Sequence, residues 1–161
     1  MNGWLIGGIA AAAAVGVLLP LQALINARLA QETTGALFAS FISFAVGTAM
    51  LALALLVTRT PLPDMRTLAA QPSWVWTGGL IGALYVLCAT LLVPKLGAAG
   101  LICLVVAGQM IGSLLFDHFG VLGEVRPADA WRVLGAVLVA GGAVAVAVGV
   151  TVILLLRKKR K

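Results

Sequence analysis

The fold is decided by an uncharged run of 25 residues near the start of the chain, Gly3–Ala27, GWLIGGIAAAAAVGVLLPLQALINA. This run exceeds the roughly 20 residues that an α-helix needs to cross a hydrocarbon core about 30 Å thick. Four further uncharged runs of similar length follow, at residues 35–57, 73–93, 96–116 and 133–156. The sequence therefore predicts an all-α membrane protein with five transmembrane helices.

The composition excludes a soluble domain beside these spans. The chain has 161 residues, of which 62% are hydrophobic and 10% charged, with a mean hydropathy of +1.13. Soluble domains carry about 25% charged residues, which cover a compact surface with polar groups. We predict one transmembrane domain over residues 1–156, followed by a basic tail at residues 157–161.

The chemistry-bearing residues do not indicate an enzyme. The chain has no phosphate-binding loop and no GxSxG or HExxH pattern. Cys88 and Cys103 each lie inside an apolar run, where cysteine behaves as a small hydrophobic residue, and His118 is the single histidine. We expect no catalysis, no metal and no cofactor. The basic tail is typical of an anchor at anionic lipid, so we expect a lipid bilayer and no nucleic acid as its partner.

The basic residues leave the orientation in the membrane finely balanced. With five crossings, the N-terminal side carries four basic residues, Arg59, Arg66, Arg126 and Arg132. The other side carries seven, namely Arg28, Lys95 and the five of the tail. The more basic side faces the cytoplasm, which places the C-terminus inside. Without the tail the count reverses to four against two, so the sequence predicts that both orientations are accessible.

Polar side chains within the spans are the strongest functional leads, because they are costly in lipid and usually face a partner or a wet cavity. Gln22 and Asn26 share one face of the first helix, just after Pro20. Tyr85 lies in the middle of the third span, among glycines. We predict a solute-binding cavity between the first, third and fourth helices, lined by Gln22, Asn26, Tyr85, Gln109 and Ser113.

Alternative roles remain open for these residues. An interhelical clamp explains the three amides as well as a binding site does. Asp117 and His118 follow Gln109 and Ser113 at the end of the fourth span, where they form either a gate or proton site or an interfacial helix end. No carboxylate lies in the middle of a span, which favours a neutral, zwitterionic or anionic solute over a hydrophobic cation.

Glycines in the last span indicate a helix–helix contact. Gly135, Gly142 and Gly149 recur every seven residues, and small residues let two membrane helices approach closely. We predict that this row packs in a dimer interface.

Four stretches carry a resemblance to a known family: GVLLPLQALINARLA at 16–30, FASFISFAVGT at 38–48, WVWTGGLIGALYV at 74–86 and LVVAGQMIGSLLFDHFG at 104–120. Together they closely resemble the small five-helix branch of the bacterial drug/metabolite transporter superfamily, which is related to the EamA-type transporters. The resemblance implies a multi-pass, half-size transporter of small solutes in the bacterial inner membrane. It also implies a pair of chains, either an antiparallel homodimer or a heterodimer with an oppositely inserted paralogue.

The lack of an internal repeat also indicates that two chains pair, independently of the family resemblance. Many transporters bind their substrate between inverted repeats, and this chain has no internal repeat. The chain is therefore predicted to be half of an inverted-repeat transporter that dimerisation completes, working by alternating access. Two alternatives are a narrow channel lined by the same polar residues and a non-transporting partner subunit.

Overall fold

The computed structural model describes the backbone of residues 3–159 and the side chains of residues 3–150 and 152. Five helices make up the described chain: α1 (Gly3–Glu32), α2 (Ala36–Val57), α3 (Met65–Ala69), α4 (Thr77–Phe119) and α5 (Ala130–Lys159). A 3-10 turn, Ser73–Trp76, precedes α4. The described residues contain no strand, so the prediction of an all-α protein is confirmed.

Four of these helices, rather than the five expected, are long and apolar enough to cross a membrane among the described residues. The difference lies in α4, whose 43 residues continue through Pro94. The interruption is at Gly97, which has a φ of 73° and a ψ of 160°. A proline removes one backbone hydrogen bond, whereas a left-handed glycine turns the chain itself. We call residues 77–96 α4a and residues 98–119 α4b.

The first helix is longer than its uncharged run. It continues past Ala27 to Glu32, and Arg28 pairs with Glu32 one turn later at 2.6 Å. Gly35 then connects α1 to α2 with a φ of 121°, which only glycine adopts without strain.

The described chain forms two compact units that divide between Pro94 and Lys95. In the first unit α1 packs against α2. Three alanines, Ala23, Ala27 and Ala39, are buried on these helices. Small side chains let membrane helices approach closely, so this pair is held by van der Waals packing and one polar bridge described below.

The second unit contains α4b and α5. Ala136 and Ala143, seven residues apart on α5, are buried. A methyl group added at Gly100 would lie 3.5 Å from a methyl of Val150, which shows how closely α5 approaches that glycine. The connection from α4b to α5 turns at Gly120, with a φ of 64°, and at Leu122, with a φ of 63°.

Candidate solute-binding residues

The polar pair of α1 divides between two environments. Asn26 is buried, and its Nδ2 donates a hydrogen bond to Ser43 Oγ on α2 at 3.3 Å. Gln22 lies one turn earlier and is exposed, and its amide makes no hydrogen bond within the described chain. In this conformation Asn26 joins two helices, whereas Gln22 is free to meet a solute, water or another chain.

Tyr85 lies half-buried on α4a and makes no hydrogen bond within the part of the chain that the structure describes. Buried neighbours on this helix include Val86 and Thr90, whose hydroxyl donates to the Val86 carbonyl at 2.8 Å. A methyl group at Gly82 would lie 3.4 Å from the Phe44 ring of α2. This glycine therefore makes room for an aromatic side chain of the same chain.

The polar stripe of α4b is exposed at both of its predicted binding residues, Gln109 and Ser113. Ser113 Oγ donates to the carbonyl of Met110 on its own helix at 3.0 Å. This local bond satisfies the hydroxyl donor and leaves the oxygen able to accept. Gln109 makes no hydrogen bond among the described residues, and its amide keeps all its donors and acceptors.

Asp117 and His118 take part in the turn from α4b to α5. The Asp117 carboxylate forms an ion pair with Arg132 of α5, and both side chains are a little over one-third exposed. The backbone N–H of Ala128 donates to His118 Nδ1 at 3.4 Å, so that nitrogen serves as an acceptor. Asp129 caps α5 by accepting from the N–H groups of Trp131 and Arg132, both at 2.9 Å. These contacts give both residues a role in closing the turn; a gate or proton role stays a prediction.

Sequence reasoning missed the partners in both polar bridges. Ser43 lies 17 residues from Asn26, and no local pattern connects them. Arg132 lies 15 residues from Asp117, and opposite charges on either side of one hairpin turn were a signal that could have identified this pair.

The glycine row of α5 faces open space within the second unit. Beyond the chain neighbours and the nearby backbone of α5 itself, a Cβ added at Gly135, Gly142 or Gly149 would meet no atom within 4 Å. The buried residues Ala136 and Ala143 each lie one position further on, about 100° around the helix. The row is therefore available to another chain, and its place in a dimer interface stays a prediction.

Two open apolar grooves lie within the separate units. One, of about 450 Å³, runs between α2 and α4a and is lined by Leu37, Ser40, Phe41, Phe44, Leu80, Ala83, Leu84 and Leu87. The other, of about 420 Å³, is lined by Leu104 and Ala107 of α4b and by six α5 residues between Ala140 and Val152. None of the predicted binding residues lines either groove.

The chain was compared with protein families, curated proteins and solved structures. No curated protein and no solved structure matches the chain. A family model described as "Putative inner membrane exporter, YdcZ" matches residues 7–145. The match runs from the first turns of α1 into the middle of α5 and takes in every residue of the predicted cavity. The chain therefore belongs to the YdcZ family of the drug/metabolite transporter superfamily, and the resemblance to that superfamily is confirmed.

Proposed function

We propose that the protein exports a small solute across the bacterial inner membrane by alternating access, as an antiparallel pair of chains. Membership of an exporter family supports transport rather than catalysis. A single chain with no internal repeat supplies one half of an inverted-repeat transporter, and a second chain of opposite orientation supplies the other. A heterodimer with a paralogue is the alternative pairing.

In the proposed transporter α4 crosses the membrane twice, so each chain makes five crossings. A straight helix of 43 residues would be about 65 Å long, roughly twice the hydrocarbon thickness. The segments on either side of Gly97, residues 77–96 and 98–119, are each about 30 Å long and long enough to cross alone. An odd number of crossings places the two termini on opposite sides, and two copies of opposite orientation are related by a two-fold axis in the membrane plane.

The observation that carries the proposal is a pair of unsatisfied amides at membrane depth. Gln22 and Gln109 lie well inside long apolar helices, are exposed, and make no hydrogen bond within the described chain. Leaving an amide unpaired in hydrocarbon costs on the order of several kcal/mol. Each amide therefore needs water, a solute or a second chain, and a hydrated path in a dimer provides all three.

The proposed solute contacts are Gln22 on α1, Tyr85 on α4a, and Gln109 and Ser113 on α4b. All four offer neutral donors or acceptors, and Asp117 is already paired with Arg132. This set suits a neutral, zwitterionic or anionic solute better than a hydrophobic cation. Asn26 is not among the proposed contacts, because its amide already donates to Ser43. We propose that it positions α1 against α2.

The test begins with a thermal-shift screen of solutes on the purified full chain, because a ligand that binds only the folded protein raises its stability. With a ligand in hand, we expect Gln22→Ala and Gln109→Ala each to weaken binding about tenfold, which corresponds to about 1.4 kcal/mol. Their unfolding temperatures in the absence of ligand should not change. A loss of stability with unchanged affinity would make these amides packing residues.

Flux measurements separate the alternatives. In liposomes that contain only this chain, a transporter gives saturable flux with counterflow, whereas a channel gives flux that does not saturate in the same range. A partner subunit gives no flux until its paralogue is added.

A further inference from the structure

Arg59 occupies a backbone conformation that arginine rarely adopts. Its φ is 51°, in the left-handed region. Its N–H donates to the Leu56 carbonyl at 3.2 Å, and the N–H of Thr60 donates to the Leu55 carbonyl at 3.1 Å. This pair of bonds ends α2 in the manner that normally selects glycine at the left-handed position. Strain of this kind clusters at sites that use the side chain, which makes Arg59 a functional candidate.

An open crevice of about 410 Å³ adjoins Arg59 at the end of α2. It is lined by Ala52, Leu55, Leu56, Arg59, Thr60 and Leu62, so Arg59 is the one charged residue of the six. Leu62 lies between Pro61 and Pro63 and is 77% exposed. The two prolines restrict the backbone on either side of Leu62. The leucine side chain therefore stays beside the crevice although few atoms of the chain pack against it.

The crevice passes from head-group depth into the acyl region of a bilayer. The 22 residues of α2 span about 33 Å, which matches a hydrocarbon core of about 30 Å. Arg59 follows the end of this helix by two residues and thus lies at the level of lipid head groups. Ala52 lies seven residues earlier, about 10 Å deeper along the helix axis.

The guanidinium of Arg59 is available to an outside anion. It forms no ion pair within the described residues, where the ion pairs are Arg28–Glu32 and Arg132–Asp117. The acid nearest to it in sequence is Asp64, which caps α3 by accepting from the Thr67 N–H at 2.7 Å. Hydrogen bonds from the hydroxyl and then the backbone of Thr67 lower the pKa of Asp64, so this carboxylate is already engaged.

We propose that this crevice binds an anionic phospholipid. The phosphate lies on the Arg59 guanidinium, which presents planar paired donors suited to phosphate oxygens. One acyl chain follows the apolar wall formed by Leu55, Leu56 and Leu62. This site is separate from the proposed solute contacts and does not depend on the identity of the transported solute.

The experiment uses native mass spectrometry of the purified full chain, with phosphatidylglycerol and phosphatidylcholine of identical acyl chains as probes. We expect phosphatidylglycerol to be retained preferentially. Arg59→Gly should reduce its retention about five- to tenfold, since a basic residue at the membrane surface contributes on this scale. Glycine adopts a φ of 51° freely, so the unfolding temperature of lipid-free Arg59→Gly should hold or rise.

Two further variants distinguish this site from general surface charge. Arg66→Gln removes a basic residue of the same connection that does not line the crevice, and it should leave lipid retention unchanged. Leu62→Ser keeps the charge but removes part of the apolar wall, and it should reduce retention.

Several results would overturn the proposal. These are equal retention by Arg59→Gly and the natural chain, equal retention of the two lipids, or displacement of the lipid by equimolar glycerol phosphate. A change in the oligomeric state of lipid-free Arg59→Gly would instead make the crevice a contact between chains.

Discussion

At the scale of single residues, the hydrogen bond from Asn26 to Ser43 joins α1 to α2 across a contact made mostly of alanines. Removing one partner leaves the other unsatisfied, and bonds of this kind in membrane helices contribute about 0.6–1.7 kcal/mol. We therefore expect Asn26→Ala to lower the free energy of unfolding by about that amount. Thermal unfolding of the purified chain measures it.

Gln22→Ala is the matched control for Asn26→Ala, because Gln22 lies one turn away and makes no hydrogen bond in the described chain. A double-mutant cycle with Ser43→Ala isolates the pairwise energy. If Asn26→Ala and Gln22→Ala were equally stable, the bond would not hold α1 to α2.

At the scale of elements, the turn between α4b and α5 depends on Gly120. A Cβ at this position would lie 2.7 Å from a methyl of Val125 and 3.3 Å from the Gly123 carbonyl oxygen. The φ of 64° adds a strain that glycine alone avoids. We expect Gly120→Ala to reduce the free energy of unfolding by about 1–3 kcal/mol, measured by thermal unfolding.

Gly123→Ala is the control, since an added Cβ there meets nothing within 4 Å. It should be nearly neutral. Equal losses for the two variants would show that the turn as a whole, rather than the Gly120 backbone, sets this stability.

The glycine row of α5 is predicted to lie in the dimer interface, which a substitution at Gly142 tests. Because an added Cβ at Gly142 would meet no atom within 4 Å beyond its chain neighbours and the nearby backbone of its own helix, we expect Gly142→Leu to fold normally as a single chain. In the proposed dimer the leucine separates two backbones that need close approach. We expect loss of the crosslinked dimer with an unchanged helical circular dichroism spectrum.

Gly141→Leu makes the same substitution at a neighbouring exposed glycine, about 100° around the helix, and should keep the dimer. Unchanged crosslinking of Gly142→Leu would remove this row from the interface.

At the scale of the whole molecule, we predict that orientation in the membrane depends on the basic tail Arg157–Lys161. The side chains of this tail lie outside the described residues, so the prediction rests on charge alone. Deleting the tail changes the count of basic residues from four against seven to four against two. We expect the population to shift towards an N-terminus inside the cell, as read by reporter fusions at both termini. A tail-less chain that kept one unchanged orientation would contradict charge counting.

The class of the molecule and its family could be inferred from the amino-acid pattern alone. Long uncharged runs such as Gly3–Ala27 allow only helices in lipid, because each backbone polar group must be satisfied within its own segment. The same local patterns located the polar residues and glycines, such as Gln109 and Gly142, that the proposals use.

Which polar groups already have partners became clear from the three-dimensional arrangement of the helices within each unit. Asn26 is engaged by Ser43 and Asp117 by Arg132, whereas the similar amides of Gln22 and Gln109 make no hydrogen bond in the described chain. The structure also showed that the break in α4 lies at Gly97 and that a crevice adjoins Arg59. Such contacts depend on how helices approach one another and how the chain turns between them. Residues 15 or 17 apart meet through packing, which no local periodicity encodes.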